Sequence, residues 1–296
     1  MKKTVLISLL FFVAVSTSIL AQEPDYSQLD PAPYDSATEP HADMFLSSWK
    51  ESMPRHSHGS LVERDIFTKL DGDPVFPNKK GAVLTALKRF SHATLDVGAS
   101  TTPTTLKGEQ ELFYFESGHG TIKTAKKTAD LHEGIGILIP PDIEFTMTNT
   151  GDEPLTMYIM TEAIPDGFKP KKEMVVKDES AVPFTGSNVH WSHIYKGFFT
   201  RDDGLASLTG AGPVWYSPMT MGQPHSHGEG VEEIWFALKG DIWVLLGKQF
   251  RNLPAGSAYK IPPNGTTPHS NINASDQQVK LMHMMHVPTG AVRRLK

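Results

Sequence analysis

Two segments of this chain repeat one another, and this repeat restricts the fold more than any other feature. Glu111-Leu-Phe-Tyr-Phe-Glu-Ser-Gly118 aligns with Glu233-Ile-Trp-Phe-Ala-Leu-Lys-Gly240, so both begin with a carboxylate, continue with strand-forming residues and end at a glycine. In each copy a Pro-Pro pair and a second strand-like stretch follow, ending at Asn149 and at Asn273. The repeat predicts two copies of one domain in tandem.

Short apolar stretches separated by Gly, Pro, Asp and Thr surround the repeated segments. They predict β-strands at residues 82–86, 93–97, 111–115, 136–139, 145–149 and 155–160. Short strands with this turn punctuation are typical of β-sandwiches and barrels. We therefore predict an all-β protein that contains two barrels.

The second copy carries a set of side chains suited to binding a metal ion. His225 and His227 are two residues apart, so on a strand both imidazoles would project from the same face. Glu233 opens the following apolar strand, and His269 lies on a strand that returns after a Pro-Pro turn. Three imidazoles and one carboxylate suit a divalent Mn, Fe, Ni, Co or Zn ion, with two positions left open in a six-coordinate site.

These residues resemble the cupin family, whose motifs are roughly G-x5-H-x-H-x(3,4)-E-x6-G and G-x5-P-x-G-x2-H-x3-N. The pair His225 and His227, the spacing from Glu233 to Gly240, and the run from His269 follow this pattern. Five residues separate His227 from Glu233, the second motif is longer by one residue, and the leading glycine is displaced. Glu232 would restore the first spacing but break E-x6-G, so Glu233 is the preferred ligand and Glu232 the alternative.

The resemblance covers residues 82–290 and implies two cupin barrels of the double-stranded β-helix, or jelly-roll, type. We expect a first barrel at 82–165, a connector at 166–206 and a second barrel at 207–296. The first copy has Phe145 in place of the last histidine and no H-x-H pair. It is therefore expected to be a degenerate barrel without metal ligands, and its surface is compatible with a homodimer.

The N-terminal region divides into two parts. Residues 1–21 combine Lys2-Lys3, an apolar run and a small-residue site at Ala21, which predicts a cleaved signal peptide and a periplasmic or secreted protein with no membrane anchor after cleavage. Residues 22–81 are rich in Pro, Asp and Ser and predict an arm, with one short helix at 42–50.

The arm contains a second histidine pair, His56 and His58, followed by Glu63. Its spacing fits H-x-H-x4-E, but no apolar strand ending in glycine follows. We interpret it as part of an arm or edge strand, with a contribution to a pocket or to a weak second metal site as the alternative.

Two further residues of the second barrel are predicted to face its interior. Alternation along residues 279–287 places His283 on the inward face, where it is either a packed histidine or a proton-transfer group. The same alternation places Trp235 with Glu233, so Trp235 is predicted to line the cavity. His190 and His193 are three apart, which disfavours a shared metal, and they are interpreted as packing residues.

The composition narrows the range of functions. The chain has 28 basic and 33 acidic residues and a formal net charge of −5, which gives no electrostatic basis for binding nucleic acid, and it contains no cysteine. The resemblance implies a metal-dependent enzyme acting on a small carbohydrate-derived or hydroxy-carbonyl acid by isomerase- or lyase-type chemistry. A dioxygenase or decarboxylase, and a non-catalytic sugar- or ligand-binding protein, are the alternatives.

Overall fold

The computed structural model describes residues 32–185 and 192–288, so the predicted signal peptide and His190 lie outside the described residues. The strands up to the connector are β1 (Leu46–Ser48), β2 (Arg55–Ser57), β3 (Leu61–Lys69), β4 (Ala82–Leu84), β5 (Leu87–Leu95), β6 (Thr104–Thr105), β7 (Glu109–Ser117), β8 (Gly120–Thr124), β9 (Thr128–Leu131), β10 (Ile135–Ile139), β11 (Glu144–Asn149), β12 (Leu155–Ala163) and β13 (Val175–Asp178). The later strands are β14 (His193–Tyr195), β15 (Phe199–Thr200), β16 (Gly210–Tyr216), β17 (Thr220–Met221), β18 (Glu232–Lys239), β19 (Ile242–Leu246), β20 (Gln249–Leu253), β21 (Ser257–Lys260), β22 (His269–Asn273) and β23 (Val279–His286).

Helical structure in the described residues consists of short 3₁₀ turns, at Ala42–Phe45, Trp49–Glu51, Glu179–Ala181 and Arg201–Asp203. None of the helices described is long and apolar enough to cross a bilayer. The structure is therefore all-β, as the repeat and the strand pattern predicted.

Each repeat forms a barrel from one large and one small sheet. In the first barrel the large sheet has the order β13-β10-β7-β12-β5-β3-β2, and the small sheet has the order β6-β11-β8-β9. In the second barrel the corresponding orders are β1-β21-β18-β23-β16-β14 and β17-β22-β19-β20. The repeated segments are thus equivalent strands, since β7 and β18 occupy the same place in the two large sheets.

The segments outside the repeats extend the large sheets of both barrels. Strand β1 comes from the N-terminal region and pairs with β21 of the second barrel, with Leu46 opposite Tyr259. Strands β2 and β3 follow it in the chain but extend the sheet of the first barrel, where β3 pairs with β5. Strand β13, from the region between the repeats, pairs with β10. The N-terminal region therefore contacts both barrels.

The repeated strands bury both faces, which explains their continuous apolar sequence. On β7, Phe113 and Phe115 point into the first barrel and belong to its core, whereas Leu112 and Tyr114 pack toward the second barrel. Phe236 on β18 lies in the same inter-barrel layer, with its ring centroid 4.4 Å from that of Tyr158. The two large sheets consequently pack against each other, and one hydrophobic cluster joins the interface to the interior of the second barrel.

Two buried carboxylates link the barrels reciprocally. Glu162 of β12 accepts hydrogen bonds from the backbone N–H groups of residues 206–208, at the start of the second barrel. Glu232 of β18 accepts from the backbone N–H groups of residues 85–87, at the start of the first barrel. Both residues are fully buried. Each barrel thus satisfies otherwise unpaired backbone donors of the other.

Some local predictions differ from the structure. The helix predicted at 42–50 is instead two 3₁₀ turns flanking β1, because pairing with β21 holds residues 46–48 in extended conformation. The strand predicted at 93–97 is β5, which ends at Leu95. Strands β8 and β9 were not predicted, because their outward residues are polar and mask the apolar alternation.

Candidate metal centre

The backbone of the second barrel brings the histidine pair to the later histidine. His225 lies in the loop between β17 and β18, and His269 is the first residue of β22. Their backbones form an isolated antiparallel bridge, in which His225 N donates to His269 O at 3.2 Å and His269 N donates to His225 O at 2.9 Å. This bridge holds His225 beside His269, although the two are far apart in sequence. The histidine pair itself lies in a loop and not on a strand.

The loop that carries the second motif is held against the histidine loop by specific backbone features. Gly265 has φ of 76°, and a Cβ on it would lie 3.1 Å from the backbone nitrogen of Glu229. Gly230 donates its N–H to the carbonyl of Pro263 at 2.9 Å. Only glycine combines the left-handed conformation with this close approach. The P-x-G element of the motif thus positions the segment that leads to His269.

The asparagine that ends each repeat has a structural role. The side-chain amide of Asn273 donates to the carbonyls of Tyr216, Ser217 and Gln277. In the first barrel, Asn149 donates in the same way to the carbonyls of Leu95 and Glu153. These bonds fasten the end of the motif strand to its neighbouring turns. The asparagine that both repeats share therefore stabilises the barrel and has no part in the metal site.

Four predicted ligands come together in the second barrel. One ligand atom from each of His225, His227, Glu233 and His269 lies within 4.8 Å of the others. Oε2 of Glu233 is 2.6 Å from Nε2 of His227 and 2.8 Å from Nε2 of His269. Metal–ligand bonds of about 2.1 Å would place neighbouring donors about 3 Å apart and opposite donors about 4.2 Å apart in an octahedral site. The donor set and its spacing therefore fit one divalent transition ion.

The electrostatics of the cluster suit metal binding. Burial alone would raise the pKa of Glu233, but the charges and hydrogen bonds of His227 and His269 outweigh it and hold that pKa well below its usual value. Burial lowers the pKa of His269, against the opposing effect of Glu233. A metal needs an ionised carboxylate and neutral imidazoles. The lowered pKa of Glu233 favours its ionised form, and the burial of His269 favours its neutral form.

The alternative carboxylate, Glu232, does not lie with the four ligands. It is the neighbour of Glu233 on β18, so its side chain points to the opposite face of the strand. There Thr85 N and Thr85 Oγ1 each donate to its Oε2 at 2.6 Å. Buried Lys260 lies nearby, with its Nζ 3.6 Å from the same oxygen. The geometry therefore favours Glu233 of the two candidates.

His283 and Trp235 both face the interior beside the cluster. Nε2 of His283 lies 2.7 Å from Oε1 of Glu233, the oxygen that does not face the other imidazoles. Trp235 is opposite His283 in the strand register, and the two ring centroids are 4.5 Å apart. Tyr195 contacts the His283 ring edge-on at 6.0 Å. Tyr195 was not identified from the sequence, because it lies on β14, outside both motifs.

A second histidine borders this group. His193 has its ring centroid 6.4 Å from that of Trp235 and 6.1 Å from that of Tyr216. Burial, together with the nearby His283, lowers the pKa of His193 to about 4. It is therefore a neutral, packed histidine near neutral pH.

In the first barrel, the counterpart of Glu233 is Glu111, which lies at the equivalent place on β7. Nε2 of His58, from the N-terminal region, is 2.9 Å from Oε2 of Glu111. The His58 ring also packs near Phe145, with centroids 5.7 Å apart. His56 belongs to the exposed edge strand β2 and its side chain does not share this position. The two histidines of this pair therefore have different environments: His56 is on the edge strand, and His58 reaches into the barrel.

Comparisons with known proteins agree with this architecture. Residues 91–161, within the first barrel, match the profile of the family described as "Cupin domain". No curated protein matches the sequence significantly.

Several solved structures are similar in fold to most of the chain. A putative glyoxylate-induced protein from Pseudomonas aeruginosa has a TM-score of 0.64 at 13% identity, covering 82% of this chain and 87% of that chain. The formate complex of Lactobacillus farciminis oxalate decarboxylase has a TM-score of 0.62 at 12% identity, covering 88% and 89%. Vicilin from hazelnut, Corylus avellana, has a TM-score of 0.63 at 11% identity, covering 84% and 87%.

At such identities the superpositions show the fold. Together with the cupin-domain match in the first barrel and the repeated two-sheet barrels, they show that this chain has the cupin fold, in two barrels.

Proposed function

We propose that this protein is an exported, metal-dependent two-barrel cupin enzyme that acts on a small carbohydrate-derived or hydroxy-carbonyl acid. The proposed chemistry is redox-neutral, of the isomerase or lyase type, and it takes place in the second barrel. The observation that carries the proposal is the convergence of His225, His227, Glu233 and His269 within 4.8 Å. Glu233 and His269 are buried and His225 and His227 are half-buried. A barrel that needed only structural stability would gain little from four such polar side chains at one point.

The charge of the ligand set favours an anionic substrate. Three neutral imidazoles and the Glu233 carboxylate would leave a divalent ion with about one net positive charge in a site of low effective dielectric constant. Such a centre attracts compounds that offer two neighbouring oxygens, at least one of them anionic. When bound, the ion would act as a Lewis acid toward a carbonyl or hydroxyl oxygen of the substrate.

The residues around the ligands would restrict which substrates fit the site. Trp235 and Tyr216 are almost fully buried, and Tyr259 donates its hydroxyl to the side chain of Asn271 at 3.1 Å. These groups make the interior next to the ligands largely aromatic, so little bulk water would surround a bound substrate. This environment suits a small substrate with a compact carbon skeleton.

Decarboxylation is a second candidate. It is favoured by the similarity of the whole fold to an oxalate decarboxylase in complex with formate, and by the similarity to a putative glyoxylate-induced protein. Both names refer to very small carboxylic acids, which match the anionic preference argued above. A dioxygenase and a non-catalytic ligand-binding protein are the remaining alternatives.

The test is a turnover assay with metal-reconstituted protein. Small 2-hydroxy and 2-oxo acids, oxalate and uronates would be followed by proton NMR, while an electrode records dissolved oxygen. We expect conversion of at least one hydroxy-carbonyl acid without oxygen uptake, and at least a 100-fold slower rate for His269→Ala, because one ligand is lost.

Each other result would select a different function. Carbon dioxide release from oxalate would favour the decarboxylase, and oxygen consumption would favour the dioxygenase. Saturable binding of these acids with every compound recovered unchanged would contradict the enzyme proposal and favour a binding protein.

A further inference from the structure

The first inference concerns His283 and rests on the proposed metal site. Its Nε2 is 2.7 Å from Oε1 of Glu233, while Oε2 of the same carboxylate faces His227 at 2.6 Å and His269 at 2.8 Å. The two carboxylate oxygens therefore have different partners. We propose that His283 is a positioning residue that engages Oε1, so that Glu233 can offer only Oε2 to the ion.

The strand register and the neighbouring rings hold His283 in this orientation. Trp235 is directly opposite His283 on the neighbouring strand, which makes Glu233 its diagonal neighbour. Trp235 and Tyr195 both pack near the imidazole, at centroid distances of 4.5 Å and 6.0 Å. A carboxylate fixed by a hydrogen bond from outside the ligand set binds its metal with defined geometry. A single-oxygen ligand also leaves more positions for substrate.

The test measures metal affinity instead of activity. Apo wild-type protein and the variants His283→Ala, His283→Gln and His119→Ala would be titrated with Co²⁺ against a chelator, and the visible spectrum of the bound Co²⁺ recorded. His119 is an exposed histidine outside the cluster and serves as the control.

We expect about 10- to 100-fold weaker binding and a changed spectrum for His283→Ala, because the carboxylate is then free to rotate. His283→Gln retains a donor and should recover most of the affinity, and His119→Ala should behave as wild type. If wild type binds Co²⁺ and His283→Ala binds it equally or more tightly, the positioning role is wrong while the proposed function stands. If wild type binds no metal, the positioning role and the proposed function are both wrong.

A second, independent observation concerns the first barrel. Glu111 is the counterpart of Glu233, yet the residue at the last-histidine position is Phe145. The only imidazole beside Glu111 in the described residues comes from His58, at 2.9 Å. We infer that His58 is an internal ligand of the first barrel, and that its imidazolium takes the place beside Glu111 that a metal ion would take beside Glu233.

To reach Glu111, His58 adopts an unfavourable backbone conformation. His58 has φ of 49°, a left-handed conformation that is unfavourable for a residue other than glycine. Its carbonyl accepts the N–H of Thr102 at 3.0 Å, and the following Gly59 has φ of 83° in close contact with the Thr102 side chain. Strain of this kind persists where surrounding contacts compensate for it. The contact of the buried His58 side chain with Glu111 is one such contact.

The charges around the imidazole favour its protonated form. Glu111 on β7 contacts it directly, Glu63 on β3 adds negative charge, and Arg55 on β2 opposes them. Burial alone would lower the pKa of His58, but the hydrogen bond and charge of Glu111 outweigh it and raise that pKa. The ion pair therefore stabilises the fold fully below about pH 6.5, and the stabilisation is lost as the pH rises through the raised pKa.

Chemical rescue tests this inference. His58→Ala should lower the Tm by about 5–10 °C at pH 6 and by less at pH 9. Because the substitution leaves a cavity beside a carboxylate, about 20 mM imidazole at pH 6 should restore at least half of the loss. Wild type and His119→Ala show how imidazole affects protein without this cavity.

A further variant keeps the test decisive if His58→Ala folds poorly. His58→Gln can still donate to Glu111 and should have an intermediate Tm without the pH dependence. A His58→Ala protein with the wild-type Tm at both pH values, or a loss of Tm that imidazole does not reverse, would overturn the inference.

Discussion

Replacing His269 by alanine is expected to remove the bound transition metal, whereas replacing His58 by alanine is expected to leave it in place. His269 supplies one of the four clustered ligand atoms of the second barrel, and His58 contacts only the carboxylate of the first. Wild-type protein, reconstituted and dialysed, should contain about one divalent ion per chain. With one ligand missing, retention after dialysis should fall at least tenfold. Elemental analysis by mass spectrometry measures both.

His227→Ala is a second removal variant, because His227 belongs to the same cluster. The identity of the metal would also direct the activity assays, since iron favours oxygen chemistry and zinc, manganese or nickel favours the redox-neutral reactions. Retention of a full equivalent of metal by both His269→Ala and His227→Ala would contradict the proposed site. Loss of metal from His58→Ala would indicate that the metal binds in the first barrel instead.

Replacing Glu162 by alanine is expected to cause the largest loss of stability of any substitution considered. Its carboxylate accepts hydrogen bonds from Gln110, Ala206, Ser207 and Leu208 while fully buried. Removing it leaves several buried donors without partners, and each costs about 1–3 kcal/mol. We expect a loss of about 3–5 kcal/mol, measured as the free energy of unfolding in urea.

Glu232→Ala should have a comparable effect, because it leaves a backbone turn without its acceptor and buried Lys260 without its nearby carboxylate. The exposed Glu144→Ala is the matched control and should change the free energy by less than about 0.5 kcal/mol. Glu232→Ala also separates the two carboxylate candidates, because protein that remains folded should still bind metal. An unchanged unfolding midpoint for Glu162→Ala would show that the inter-barrel carboxylates are not required.

Much of the architecture could be predicted from the sequence. The spacing from Glu111 to Gly118 and from Glu233 to Gly240 predicted equivalent strands, and β7 and β18 are equivalent. The all-β, two-barrel cupin fold is confirmed. The assignments of metal ligands, domain boundaries, export and oligomeric state remain predictions.

The wrongly predicted helix has a physical cause, which is pairing between distant segments. Residues 42–50 have a helix-compatible pattern, but the edge of β21 provides hydrogen-bond partners that make β1 extended. Nothing in the local pattern around residue 46 identifies a partner more than 200 positions away.

The sequence by itself determined the residue types that can bind a metal, the glycines and asparagines that shape the motif turns, and the alternation that directs His283 and Trp235 inward. These depend on short-range spacing and backbone preference. Only the tertiary structure decided that Glu233 rather than Glu232 faces the histidines, that His283 engages one carboxylate oxygen, and that His58 reaches Glu111. Those relations depend on which strands become neighbours, and that choice is made by the burial of both faces of the large sheets in the assembled barrels.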